Sequence, residues 1–231
     1  MSTGKGQVVE LILEDGCRQV RVSCPPNLIP SPGQYLLASD VSPVPVPLFH
    51  TDSAPQGFIA AAPIPDSWNP GLELSLRGPL GRGFNLPLSA RRVGLVAFDA
   101  HPARLLGLIR PALKQDADVV LVCNSTPEHL ADDVEVHQLS ALPEIIMWAD
   151  YLAVDVAREH LNQMREHLGK LNQFTAGRAR VPEVQALVRT PVTCGGIADC
   201  GVCAVTLKSE WKLACKDGPV FDWKELESKV S

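Results

Sequence analysis

Short apolar or alternating runs, separated by turn residues, fill positions 1–90. The runs are Val8–Leu13, Val20–Val22, Tyr35–Ala38, Phe58–Ala62 and Leu72–Leu76, with Pro25-Pro26, Pro32-Gly33 and Asn69-Pro70-Gly71 between them. Such runs predict strands, and strands at this spacing predict a small barrel or sandwich. Pro43, Pro45 and Pro47 bring no ladder donors, so the stretch 43–47 is expected to lie outside any central strand. After Pro87 the period changes. Arg92–Phe98 reads as a strand, and Ala103–Leu113 has helical spacing through Leu105, Leu108, Ile109 and Leu113. Strands Val119–Cys123 and Val134–His137, a short helix Ala141–Trp148 and a buried strand Tyr151–Val154 follow. A helix Ala157–Leu171 then carries Leu161, Met164, Leu168 and Leu171 on one face. This alternation predicts a parallel, doubly wound sheet. From Pro182 onward the chain reads as irregular and rich in Gly and Cys.

The expected architecture is therefore a β-barrel over 1–90, an α/β domain over 91–181 and a cysteine lobe over 182–231. The chain has 231 residues, 45% of them hydrophobic, enough to give each part a core. A net charge of −5 argues against nucleic acid or an anionic membrane surface as the partner. No apolar run is long enough to cross a bilayer, and the chain enters its first strand without an apolar leader. These features lead to an expectation of a cytoplasmic protein with no membrane insertion.

Seven cysteines at uneven spacing do not suggest a disulfide framework in a reducing compartment. Cys17, Cys24 and Cys123 sit among apolar neighbours and read as small buried hydrophobes. The other four cluster as Cys194-x5-Cys200-x2-Cys203, with Cys215 after eleven more residues. Four thiolates suit an iron–sulfur cluster or zinc. Zinc knuckles bring two separated C-x2-C pairs, whereas here three ligands share one loop. The spacing is near the plant-ferredoxin pattern C-x4-C-x2-C…C, with one residue added. Gly195, Gly196 and Gly201 let that loop curl and aim amides at sulfur, which the negative charge of a [2Fe–2S] core requires. None of the six histidines forms a convincing triad with Ser or Cys, and His160 and His167, beside Glu159 and Glu166, read as a solvated face. Trp211 and Trp223 flank Cys215 and either cap the lobe or meet a partner.

Cys194–Cys203 and the run Cys215-Lys-Asp-Gly-Pro-Val-Phe221 resemble the electron-transfer subunit of NAD-dependent dihydroorotate dehydrogenase. Gly78-Pro-Leu-Gly-Arg-Gly-Phe84 and Pro32-Gly33-Gln34-Tyr35 extend the resemblance over essentially the whole chain. It implies a ferredoxin-reductase-like fold with an FAD-binding barrel, a nucleotide-binding α/β domain and a C-terminal [2Fe–2S] lobe. Two departures stand out. The family's flavin motif Arg-Pro-x-Ser aligns with Val46-Pro47-Leu48-Phe49, without the cation and the hydroxyl. Pro47 and Leu48 are all that remains of an FAD contact, and turn and core roles explain both. Where relatives open a helix with a glycine-rich phosphate turn, this chain has Asp99-Ala-His-Pro102, and Val154-Asp155-Val156 replaces a later Cys-Gly-Pro turn.

The resulting expectation is a non-catalytic relay subunit holding [2Fe–2S] through Cys194, Cys200, Cys203 and Cys215, with FAD doubtful and NAD absent. Its partner is then a flavin- or iron–sulfur-containing oxidoreductase subunit. The alternatives are a full flavoprotein subunit passing electrons through FAD to NAD, and a structural subunit with a zinc-type site of four cysteines.

Overall fold

The computed structural model describes residues 2–14, 17–61, 63–168, 181–208 and 210–226. Strands β1 (Ser2–Glu14), β2 (Cys17–Ser23), β3 (Tyr35–Ser39), β4 (Val46–Ala54), β5 (Gly57–Ala61) and β6 (Glu73–Leu80) close into a barrel in the order β1-β2-β5-β4-β3-β6. Alternate residues of these strands (Val20 and Val22, Leu36 and Ala38, Leu74 and Leu76) point inward around Leu48 and Phe58. Trp68 seals that interior and donates its indole N–H to Asp40 at 2.9 Å. Closure leaves no free edge along the barrel. At the start of β5 the chain passes so close to β2 that a Cβ on Gly57 would stand 1.9 Å from the Val22 carbonyl oxygen. Only glycine fits there.

The proline-rich stretch departs from expectation at its end, because β4 begins at Val46 and includes Pro47. The reason is local. Pro47 is opposite Leu37 of β3, but β5 runs out opposite Phe49, so Pro47 has a ladder neighbour on one side alone.

The second unit is a six-stranded sheet. Its strands are β7 (Arg92–Ala97), β8 (Asp118–Val122), β9 (Val134–His137), β10 (Tyr151–Ala157), β11 (Glu183–Arg189) and β14 (Val220–Asp222), in the order β14-β11-β10-β7-β8-β9. All pair in parallel except β14, which runs antiparallel to β11. The irregularity expected from Pro182 onward therefore does not hold. β11 completes the parallel sheet, and β14 brings the cysteine segment back onto its edge. The hairpin β12 (Ala204–Thr206) and β13 (Trp211–Leu213) forms the rest of the lobe.

Helices α1 (Ala103–Leu106) and α2 (Ile109–Lys114) cover one face of the sheet through Leu105, Leu108, Ile109 and Ala112. On the other face, α3 (Leu142–Trp148) and α4 (Leu161–Leu168) bury Ile145, Ile146, Leu161, Met164 and Leu168. The spacing predicts a single helix over Ala103–Leu113, and two form. Pro111 has no N–H to close a bond onto Gly107, and Gly107 is pressed against His50, where a Cβ would lie 2.6 Å from Nδ1. The helix expected from Ala157 starts later, because β10 runs through Ala157 and a 3-10 turn fills Arg158–His160. Ala62 and Leu171, at the ends of two predicted elements, lie outside the described residues.

The barrel and the sheet meet over a small apolar layer of Tyr35, Leu37, Phe49, Ala61, Ala103, Leu187 and Val220. The two sequence signatures meet there as well. The Arg82 N–H donates to the Gly218 carbonyl at 2.5 Å, and the Arg82 guanidinium reaches Asp222 at 3.0 Å. The turn after β6 is thus bolted to the segment that follows Cys215.

Candidate metal centre

The loop Cys194–Cys203 owes its curl to left-handed backbone at Gly195 (φ 65°), Gly196 (φ 71°), Ala198 (φ 63°) and Gly201 (φ 70°). An alanine in that region costs on the order of 1–2 kcal/mol, so the surrounding loop must hold it there. The return is in amides. The backbone N–H groups of Asp199, Cys200 and Ile197 all serve the Cys194 sulfur and push its thiol down to about 6, the Asp199 amide most strongly. The Ala198 amide serves Cys215. A loop that aims so many donors at sulfur is built for thiolates, not for thiols.

Cys215 lies in the short helix Ala214–Asp217, which follows β13. Asp217 accepts the Leu213 N–H at 3.0 Å, and the Ala214 N–H donates to the Cys203 carbonyl at 3.0 Å. These bonds set the sulfurs of Cys203 and Cys215 3.2 Å apart, both buried. Burial first, and then the neighbouring Cys203, pushes the Cys215 thiol up to about 12. The Cys215 sulfur is costly to ionise in protein alone, and a bound cation reverses that balance. Cys200 is exposed, 3.5 Å from the Thr193 hydroxyl, and hydrogen-bonds Cys194. The four cysteines singled out in the sequence thus come together as two pairs, Cys194 with Cys200 and Cys203 with Cys215. Among the described residues, no three His, Cys, Asp or Glu side chains converge on a single ion position.

Of the remaining cysteines, Cys24 and Cys123 are buried, and burial raises both thiols, Cys24 to about 11. Cys17 is half-buried. The tryptophans divide: Trp223 is buried in the lobe's core and Trp211 is 66% exposed.

The barrel contributes side chains that the sequence does not single out as part of the site. Tyr35, fully buried, donates its hydroxyl to the Cys215 carbonyl at 3.5 Å. Its ring meets Phe49 at 5.4 Å, and the Arg104 guanidinium stands over the Phe49 ring at 5.7 Å. Phe49 therefore fills the cleft between barrel and sheet. Pro47 sits half-buried at the mouth of β4, and Leu48 points into the barrel core.

At the carboxyl ends of the parallel strands lies a second cluster. Strand order reverses between β7 and β10, the switch point where open α/β sheets bind ligands. Here charged side chains fill it. Asp155 is fully buried and accepts from Arg189 at 2.8 Å and Arg104 at 3.3 Å. Burial drives its carboxyl upward against the pull of Arg104. Asp99 pairs with Arg189, accepts the Ala157 N–H at 2.9 Å and meets His160 Nδ1 at 2.6 Å. His160, expected on a solvated face, instead belongs to this network. His167 packs edge-on against Phe98 at 5.5 Å. Sequence offered one hint, Asp99 and Asp155 at turns where relatives keep glycine; the arginines carried none.

Residues 193–227 match the family described as the iron-sulfur cluster binding domain of dihydroorotate dehydrogenase B. The C-terminal lobe is an iron–sulfur cluster-binding domain. No curated protein matches the chain in sequence. Among solved structures, a NADH-dependent reduced ferredoxin-NADP oxidoreductase studied for flavin-based electron bifurcation superposes with a TM-score of 0.72 at 15% identity, covering 98% of this chain and 91% of that one. The ferredoxin reductase of carbazole 1,9a-dioxygenase gives 0.58 at 18% identity, over 73% of this chain and 66% of its own. An Amycolatopsis cytochrome P450 reductase gives 0.57 at 13% identity, over 81% and 71%. At these identities the likeness shows the fold, which is ferredoxin-reductase-like throughout. No helix among the described residues is long and apolar enough to cross a membrane.

Proposed function

We propose that this chain relays single electrons through a [2Fe–2S] cluster held by Cys194, Cys200, Cys203 and Cys215, as a non-catalytic subunit of an oxidoreductase complex. The observation that carries the reading is the pairing of the thiols. A binuclear cluster takes two thiolates on each iron, whereas zinc takes all four around one ion. Two pairs without a single-ion site favour the first. The amide-lined loop supplies what the cluster's negative charge requires, and the cluster would supply a one-electron redox step.

The same reading leaves this chain without FAD or a nicotinamide of its own. Phe49 and Arg104 fill the cleft between barrel and sheet, where the likeness of the Val46–Phe49 stretch would put a flavin. The switch point holds two carboxylates already matched to two arginines. A pyrophosphate there would have to break those pairs and face Asp99 and Asp155 at close range, with no bare amide turn to receive it. Hydride chemistry then belongs to a partner subunit bearing a flavin or further iron–sulfur centres, and the absence of a membrane-length helix among the described residues fits a cytoplasmic complex.

Protein purified without oxygen is expected to hold about two irons and two acid-labile sulfides per chain. Stoichiometric zinc without sulfide would contradict the cluster. Flavin carried through gel filtration and released on denaturation would restore the full flavoprotein reading.

A further inference from the structure

We infer that Arg77, on the outer face of the barrel, is the counter-cation of the cluster loop and raises the reduction potential of the cluster. The inference rests on the cluster assignment above and deepens it. Arg77 stands on β6 opposite Leu37 of β3, so both side chains share one barrel face. The cysteine loop is laid on that face at its two left-handed glycines. A Cβ on Gly196 would lie 3.3 Å from the Tyr35 hydroxyl and 3.5 Å from Leu37 Cδ1; one on Gly195 would lie 3.4 Å from Arg77 Nη2 and 3.5 Å from Pro45 Cγ. The guanidinium therefore stands beside the loop immediately after its first cysteine.

The charge on Arg77 has no other evident use. None of the ion pairs among the described residues includes it. The cleft it lines, with Thr3, Ser39, Pro45 and Ser75, presents no carboxylate. Its field reaches the buried Tyr35 hydroxyl, which also feels Cys215, Cys203 and Cys194. Cation and thiols thus act on one buried point in a poorly solvated layer, where Coulomb interactions are screened far less than in water. Reduction adds a third negative charge to a cluster that, with its four thiolates, already carries two. A fixed cation at the loop's edge favours the reduced state, and Tyr35 holds the fourth ligand's backbone in place beside it.

The test is a redox titration of the cluster's visible or EPR signal in the full chain, comparing wild type with Arg77→Gln, Arg77→Lys and Ser39→Asp. The last puts a carboxylate beside the guanidinium without removing it. Arg77→Gln should lower the equilibrium constant for reduction about tenfold, a potential about 59 mV more negative for one electron. Ser39→Asp should move it the same way, and Arg77→Lys should stay near wild type. An unmoved potential in Arg77→Gln with full iron content would overturn the inference. Should that variant lose its cluster, an unmoved potential in Ser39→Asp would overturn it equally. A wild-type chain that holds no cluster at all would sink the function proposed above instead.

Discussion

Single residues in this chain are set against one another in charge, and the cost of separating them is large. Asp155 is fully buried between two guanidiniums, Arg189 at 2.8 Å and Arg104 at 3.3 Å. Asp155→Ala removes the buried carboxylate that Arg104 and Arg189 share, a loss expected at about 3–5 kcal/mol in denaturant unfolding. A loss under about 1 kcal/mol would show that the arginines find water or Asp99 instead. The cysteines make the opposite case. Cys203→Ser or Cys215→Ser is expected to abolish visible absorption and loosen the lobe, while Cys24→Ala leaves the spectrum unchanged. The cysteine cluster was legible because its four thiols fall within 22 positions of one another and the motif is local. The Asp99–Arg189 pair was not, because it joins residues from β7's end and β11's end that only the fold brings together.

Elements were legible where one period ran unbroken. Val134–His137 is found as predicted, and α4 buries Leu161, Met164 and Leu168 as its spacing requires. β11 was hidden by Gln185, a polar residue in mid-strand that looks wrong for a buried position. Its side chain is satisfied on both sides, accepting the Tyr151 hydroxyl at 2.9 Å and donating to Asp222 at 3.0 Å. The split between α1 and α2 escaped because helical spacing survives a proline that the backbone ladder does not. Met164 is fully buried where α4 meets the sheet. Met164→Ala is expected to cost about 2–5 kcal/mol in thermal or urea unfolding, with the cluster spectrum unchanged in the folded protein. A spectrum altered along with stability would mean that α4 and the lobe are mechanically coupled.

At the scale of the whole molecule, Phe49 lies in the layer between barrel and sheet with Arg104 over its ring, and Asp99, Asp155 and Arg189 occupy the switch point of the sheet. The barrel supports the cysteine loop through Tyr35 and Arg77. In the proposed relay the two-electron step belongs to another subunit, and the lobe exposes Ile197 and Trp211, at 61% and 66%. Native, untagged material is expected to co-purify with a flavin- or iron–sulfur-containing subunit, with cross-links concentrated on the lobe. Recovery of a lone monomer under gentle, anaerobic conditions would argue against the complex.

The most direct measurement is the low-temperature EPR spectrum of the isolated, anaerobically purified chain, recorded first with NADH and then with dithionite. Silence is expected with NADH and, with dithionite, the paramagnetic signal of a reduced [2Fe–2S] centre. A cluster signal that appears with NADH alone would show that this chain accepts hydride and holds its own flavin.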